Sequence, residues 1–135
     1  MERKDDAKWY IFDEIRKKKV VLTPEEWVRQ NFIKFMNRVH GIPLSMMVLE
    51  KDLELNGLKK RADILVYDST GKPFAIVECK ASHIAISQDV FDQIARYNMV
   101  LKVPFLIVTN GLNHYYSRID FEKSVCEFLQ AFPSY

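Results

Sequence analysis

Asp63 and the triplet Glu78-Cys79-Lys80 are the residues whose types and spacing could do chemistry. Ala62-Asp63-Ile64-Leu65-Val66-Tyr67 reads as a strand, and so does Pro73 to Lys80, with Asp68-Ser69-Thr70-Gly71-Lys72 as the turn between them. In such a hairpin the start of one strand lies beside the end of the next, which brings Asp63 near Glu78. A spacing of two puts Glu78 and Lys80 on one face of the strand and Cys79 on the other. Two carboxylates and an amine then meet at one sheet edge. Two carboxylates can share a hard divalent cation such as Mg²⁺ or Mn²⁺, and the Cys79 carbonyl could add a third oxygen. A cation there would polarise a phosphoryl oxygen and acidify a bound water. Lys80 could orient or deprotonate that water, or steady the charge building on the phosphate. The reaction this set suits is hydrolysis of a phosphodiester.

The elements that must position these residues are legible on either side. Thr23-Pro24-Glu25-Glu26 predicts a helix start, with Thr23 as N-cap, Pro24 at the first position and Glu26 completing a capping box. Val28, Phe32, Phe35, Met36 and Val39 then recur on one helical face, and Gly41 and Pro43 end the run. From Leu44 the period changes, and Asn56-Gly57 suits a hairpin turn. Residues 45–80 therefore predict a three-strand antiparallel meander. Residues 87–102 predict a second helix, capped by Ser87, with Val90, Phe91, Ile94, Tyr97 and Leu101 turned inward. Phe105 to Thr109 is a buried strand, and the crossover places it parallel to the third meander strand. His114 to Ser117 reads as an edge strand that leaves room for a homodimer. Asp120 would cap a last helix bearing Phe121, Val125, Phe128, Leu129 and Phe132. Residues 1–22, with the cluster Trp9-Tyr10-Ile11-Phe12, read as an arm that docks its aromatics on a domain spanning 23–135.

Composition narrows the class. The chain has 135 residues, 48% of them apolar and 13% aromatic, enough for one domain with a real core. No apolar run is long enough for a membrane span, and no secretory leader is expected. Cys79 and Cys126 are the only cysteines, which excludes a disulfide framework or a four-thiolate zinc site and makes a reducing cytoplasm the expected setting. The net charge of +2 is uninformative, but residues 31–61 hold six Lys or Arg against three acids. Lys59-Lys60-Arg61 could contact backbone phosphates of DNA, or form a solvated turn.

The motif is also a family signature. Ala62-Asp63 followed by Glu78-Cys79-Lys80 resembles the PD-(D/E)xK nuclease superfamily, with Ala62 in the place of the non-ligating proline. Gln93-Ile94-Ala95-Arg96-Tyr97 resembles the Q-x-x-x-Y element of one branch. Together with Leu22 to Gln30, Arg61 to Ile64, Val77 to Ala81 and Thr109-Asn110-Gly111, these look like the N-terminal nuclease domain of type I restriction enzyme R subunits and its stand-alone relatives. The resemblance spans about residues 10–120. It implies an α/β, restriction-endonuclease-like fold, with a central mixed sheet of an antiparallel three-strand meander plus a parallel crossover strand, flanked by helices. It further implies Mg²⁺-dependent DNA hydrolysis, with Asp63 and Glu78 as metal ligands, Lys80 as the water-activating amine and Gln93 in support. Restriction-system or helicase subunits are implied partners. The motor that follows in R subunits is not seen, so no translocation is expected of this chain.

Other readings stand beside these. Asp63 could pair with Arg61 or Lys80, and Glu78 with Lys80, as plain ion pairs. The capping box explains Glu26, while the resemblance implies that Glu26 completes the metal shell. Tyr97 reads as packing on the sheet. Ser82 and His83 have no acid partner at useful spacing, so a Ser/His/Asp hydrolase is not supported. No Gly-rich phosphate loop supports a small phosphate-ester hydrolase. The competing class is a non-catalytic nuclease-fold module for DNA binding or subunit assembly.

Overall fold

A computed structural model describes residues 2–3, 7–55, 57–99 and 101–135. Asn56, half of the expected hairpin turn, lies outside them. Three short strands open the chain: β1 (Glu2–Arg3), β2 (Trp9–Asp13) and β3 (Lys18–Val21) form their own antiparallel sheet. Of the aromatic cluster, Tyr10 and Ile11 are half-buried, while Trp9 is 49% exposed and Phe12 53% exposed. A polar anchor stands beside them. Asp13 is fully buried and accepts from the Ile15 and Arg16 amides and from Arg16 Nε, while Ile15 packs on the core.

Helix α1 (Pro24–Arg38) starts as its sequence predicts, with the Glu26 amide donating to Thr23 Oγ1 at 3.1 Å. The turn that follows it closes at Gly41, whose φ of +69° is the left-handed conformation that glycine adopts freely. The Ile42 amide then returns to the Met36 carbonyl at 3.1 Å. The reciprocal half of the capping box is absent. Thr23 N–H donates to the Val21 carbonyl, so the Glu26 side chain is free to turn elsewhere.

A six-stranded sheet follows, in the order β4 (Met47–Leu55), β5 (Leu58–Tyr67), β6 (Pro73–Cys79), β7 (Phe105–Thr109), β8 (His114–Asp120) and β9 (Val125–Leu129). Neighbours are antiparallel except β6 and β7, which are parallel and joined through helix α2 (Gln88–Met99). The predicted meander and parallel crossover are therefore both present. Phe74 to Cys79 are all buried because helices cover both sheet faces. On one face, Val28, Phe32, Ile33 and Met36 of α1 meet Ile64, Val66, Ala75, Val77 and Ile107. On the other, Phe91, Ile94 and Ala95 of α2 meet Leu65, Ile76, Leu106 and Val108. Each such large apolar side chain contributes about 1.5–3 kcal/mol.

Three expectations are corrected. The last helix is the strand β9. The Asp120 carboxylate accepts from the Glu122 and Lys123 amides, which closes a turn instead of starting a helix, and Ser124 at φ +54° completes the reversal. With β9 paired to it, β8 has a strand on each side and is no edge. Asp63 sits midway along β5, because the β4–β5 hairpin runs on past the end of β6.

One polar network ties these pieces together. Glu26 is 5% exposed. Its Oε1 accepts from Arg16 Nη2 at 2.7 Å and Arg29 Nη2 at 2.9 Å, and its Oε2 from Arg29 Nε at 2.9 Å and Gln30 Nε2 at 3.1 Å. Gln30 also reaches Asp13, and both arginines reach Glu50 on β4, at 3.2 Å from Arg29 and 3.5 Å from Arg16. Burial works to raise the Glu26 acid, but the donors from Arg29, Arg16 and Gln30 prevail and hold it below the usual range. Removing this carboxylate leaves the buried Arg29 with only the half-exposed Glu50 as its acidic partner among the described residues. Glu26→Ala is expected to cost about 3–5 kcal/mol of stability, read as a lowered urea midpoint. A change under about 1 kcal/mol would mean the network is dispensable.

Candidate active site

The register pairs Ile64 with Val77, so the next position along sets Asp63 opposite Glu78. Asp63 Oδ2 accepts the Cys79 amide at 2.7 Å, which locks its carboxylate against the end of β6. Lys80 follows at the strand end, partly exposed, with its amide held by the Thr109 carbonyl at 2.8 Å. The expected juxtaposition of Asp63 and Glu78, with Lys80 two residues on, is thus built from β-register and little else.

The site has a kink at its base. Ala62 and Leu65 belong to the α2-side core, while Ile64 and Val66 belong to the α1-side core. The alternation of faces breaks at Asp63. Opposite it on β4, Glu50 takes a left-handed φ of +54°, a costly conformation for a residue with a Cβ. The two arginines on the Glu50 carboxylate hold it there. Arg29 Nη1 also approaches the Asp63 carbonyl at 3.4 Å.

Glu78 is 5% exposed. The cation facing it is Lys60, three residues before Asp63, with Nζ 3.2 Å from Glu78 Oε1. Glu78 Oε1 is buried and receives no well-aligned hydrogen bond, so its contact is this single ion pair. Burial first, then the Asp63 charge, push the Glu78 acid up to about 7, against the pull of Lys60 and Lys80. A buried carboxylate oxygen without a donor, beside a second carboxylate, fits a hard divalent cation. Among the described residues no third His, Cys, Asp or Glu side chain joins them. Mg²⁺ commonly needs only one or two carboxylates, completing its shell with waters and phosphate oxygens. Asp63 and Glu78 would hold it, with the Cys79 carbonyl at the same strand end. The Cys79 thiol packs in the α1-side core, and burial and the Asp63 charge push it well above its usual range, so it is no nucleophile.

The other candidates divide. Glu26 is not brought to this pair, because its oxygens are filled by Arg16, Arg29 and Gln30. It serves neither the capping return bond nor the carboxylate pair. Gln93 is exposed on α2, one turn before Tyr97, with no hydrogen bond to the carboxylates. Tyr97, expected inward, is 47% exposed, and its ring centroid lies 5.8 Å from Lys60 Nζ. Lys59, Lys60 and Arg61 line one surface recess together with Asp52, Leu53 and Glu54: Lys59 is exposed, Lys60 also reaches Glu78, and Arg61 pairs with Asp52 at 3.1 Å on the exposed hairpin. His83 is exposed. Asn110 is buried and closes its own turn through the Leu112 and Asn113 amides. Its Nδ2 holds the Ile84 carbonyl at 2.9 Å, which steadies the loop after Lys80.

Sequence reasoning missed the positions of Lys60, Arg16 and Arg29. The available signal was that buried Glu78 requires a counter-charge, but Lys80 is the nearer lysine in sequence and drew the assignment.

Residues 24–133 match the family described as type I restriction enzyme R protein N terminus. No curated protein matches. A fragment assigned as an HsdR subunit of a type I restriction enzyme from Vibrio vulnificus YJ016 superposes with a TM-score of 0.56 at 21% identity, over 84% of this chain and 24% of that one. The chain thus spans about a quarter of that structure. A protein of the DUF820 group from Anabaena variabilis ATCC 29413, assigned as a nuclease, superposes with a TM-score of 0.52 at 12% identity, over 97% of this chain and 80% of that one. At these identities the likeness is one of fold, a mixed α/β nuclease-like sheet. The family match, across most of the residues, carries the assignment: this chain belongs to the type I restriction enzyme R protein N-terminal family.

Proposed function

We propose that this protein is a Mg²⁺-dependent deoxyribonuclease, with Mn²⁺ able to replace Mg²⁺. The observation that carries the reading is the pair Asp63 and Glu78, set side by side by strand register, with a buried oxygen of Glu78 lacking any hydrogen bond. Asp63 and Glu78 hold the cation, and the Cys79 carbonyl adds an oxygen. Bound there, a divalent cation polarises the phosphodiester and lowers the pKa of water. Lys80, on the Glu78 face of the chain, orients or deprotonates the attacking water and offsets the charge gathering on the phosphate. Gln93 stands one turn before Tyr97 on the same helical face, which supports a role for it toward substrate. DNA is the substrate that the family context favours, and other restriction-system subunits are the partners.

The raised Glu78 acid makes the metal requirement visible in stability. Glu78 faces Asp63, Lys60 and Lys80. Its acid lies at about 7 in the folded chain against an ordinary 4.5, so the folded state binds the extra proton between those values. Stability from this group is complete below about pH 4.5 and is lost as pH rises through about 7. The metal-free protein is expected to lose melting temperature relative to Glu78→Gln across that window, by scanning calorimetry. Saturating Mg²⁺ at neutral pH should restore it in the wild type and leave Glu78→Gln unmoved. Parallel curves for the two proteins, with or without Mg²⁺, would count against the site.

Catalysis is tested on supercoiled plasmid and single-stranded DNA with Mg²⁺ or Mn²⁺, with an EDTA control. Wild type should cleave only with metal, and Lys80→Ala should cut the rate by roughly 10²–10⁴-fold. Absence of cleavage by the wild type would sink the autonomous enzyme and leave a nuclease fold used for DNA binding or assembly.

A further inference from the structure

We propose that Lys60 is a stand-in cation, holding Glu78 while the site lacks a metal and giving way when a divalent ion binds. The proposal rests on the reading of Asp63 and Glu78 as the metal-holding pair. Its ground is the contrast between two glutamates of equal burial. Glu26 is gripped by four aligned donors. Glu78 meets one ammonium, 3.2 Å from an Oε1 that receives no well-aligned hydrogen bond. The first is a fixed joint; the second is close enough to neutralise charge and too poorly aimed to be a lock.

Lys60 is suited to leaving. Its ammonium is a point charge on a flexible four-carbon stem, unlike the planar fork of Arg29. The Lys60 side chain is 24% exposed, so a path to water is open, and the Tyr97 ring 5.8 Å from Nζ offers a face on which the cation can rest. A divalent ion and an ammonium on the same carboxylate repel each other strongly in a site with little water. Binding of the ion therefore displaces Lys60. This also assigns a use to the exposed Tyr97, which packing on the sheet does not explain. A phosphate entering the site would offer the ion another ligand and the displaced Lys60 a new anion, so metal and substrate should bind cooperatively.

The test is Mn²⁺ titration of the full chain without DNA, followed by electron paramagnetic resonance. It is done at about pH 8.5, where protons compete little for Glu78. Lys60→Ala and Lys60→Met, the second keeping the stem, should each bind Mn²⁺ roughly tenfold more tightly than wild type. Lys60→Arg should bind at wild-type affinity or below. Lys59→Ala, an exposed charge one residue away, should change affinity by less than about twofold. Equal or weaker binding in both neutral Lys60 variants would overturn the proposal, and so would equal tightening in Lys59→Ala, which would mark a general charge effect. If Glu78→Gln binds Mn²⁺ as well as wild type does, or wild type binds none, the metal-holding pair itself fails and this inference falls with it.

Discussion

The carboxylate of Glu26 is the joint on which the rest of the structure hangs. It draws Arg16 from the N-terminal hairpin and Arg29 from its own helix into one buried cluster. Arg29 continues to Glu50 on β4 and to the backbone of Asp63 on β5. The N-terminal sheet, helix α1 and the first two strands of the meander are thus joined by charge-assisted hydrogen bonds. The left-handed turn at Glu50 costs about 1–2 kcal/mol, and it persists because both arginines hold that carboxylate. That turn lies opposite Asp63, at the point where β5 changes which residues it presents to each core. The polar joint therefore bears on the backbone that carries the partner of Glu78.

Glu26 and Glu78 are equally buried, and their acids move in opposite directions. Donors outweigh desolvation at Glu26 and hold it down. At Glu78 desolvation and the neighbouring Asp63 outweigh two lysines and push it up. A chain that needed only stability would have no reason to leave the second carboxylate short of donors beside another of the same sign. The deficit is local and concerns one oxygen atom, which is the kind of defect a bound cation corrects. One glutamate has aligned donors on both oxygens, and the other leaves an oxygen without one.

Much of this was legible in the order of residues. Thr23 and Pro24 mark the helix start by local chemistry. The meander and the crossover follow from strand length and turn residues, and Asp63 meets Glu78 by register alone. The rest was hidden for identifiable reasons. Val125, Phe128, Leu129 and Phe132 fit a helical period, yet Cys126 packs on the α2-side core and Phe132 on the α1-side core, as a strand and its continuation can also arrange. Periodicity does not separate the two over so short a run. The N-terminal hairpin looked like an aromatic arm because pairing of Arg16 with Glu26 has no periodic signature. Lys60 looked like part of a basic turn because its role depends on the hairpin running past the end of β6.

The site lies where two parallel strands stop together. β6 ends at Cys79 and β7 at Thr109, paired in register, and the crossover helix leaves and returns between them. Open α/β sheets hold ligands at such strand ends, because the chain there diverges and leaves a crevice lined by rigid backbone. The two carboxylates stand on that rigid part. Asp63 is clamped by the Cys79 amide, and the Lys80 amide is pinned to Thr109. Asn110 fixes the loop beyond. Lys60 is different in kind, a long stem reaching across from β5 under Tyr97. In the proposed reading, strand-held oxygens and a long-stemmed ammonium divide the work: the oxygens would keep a cation's geometry to a few tenths of an ångström, whereas the ammonium would only have to supply charge and then withdraw it.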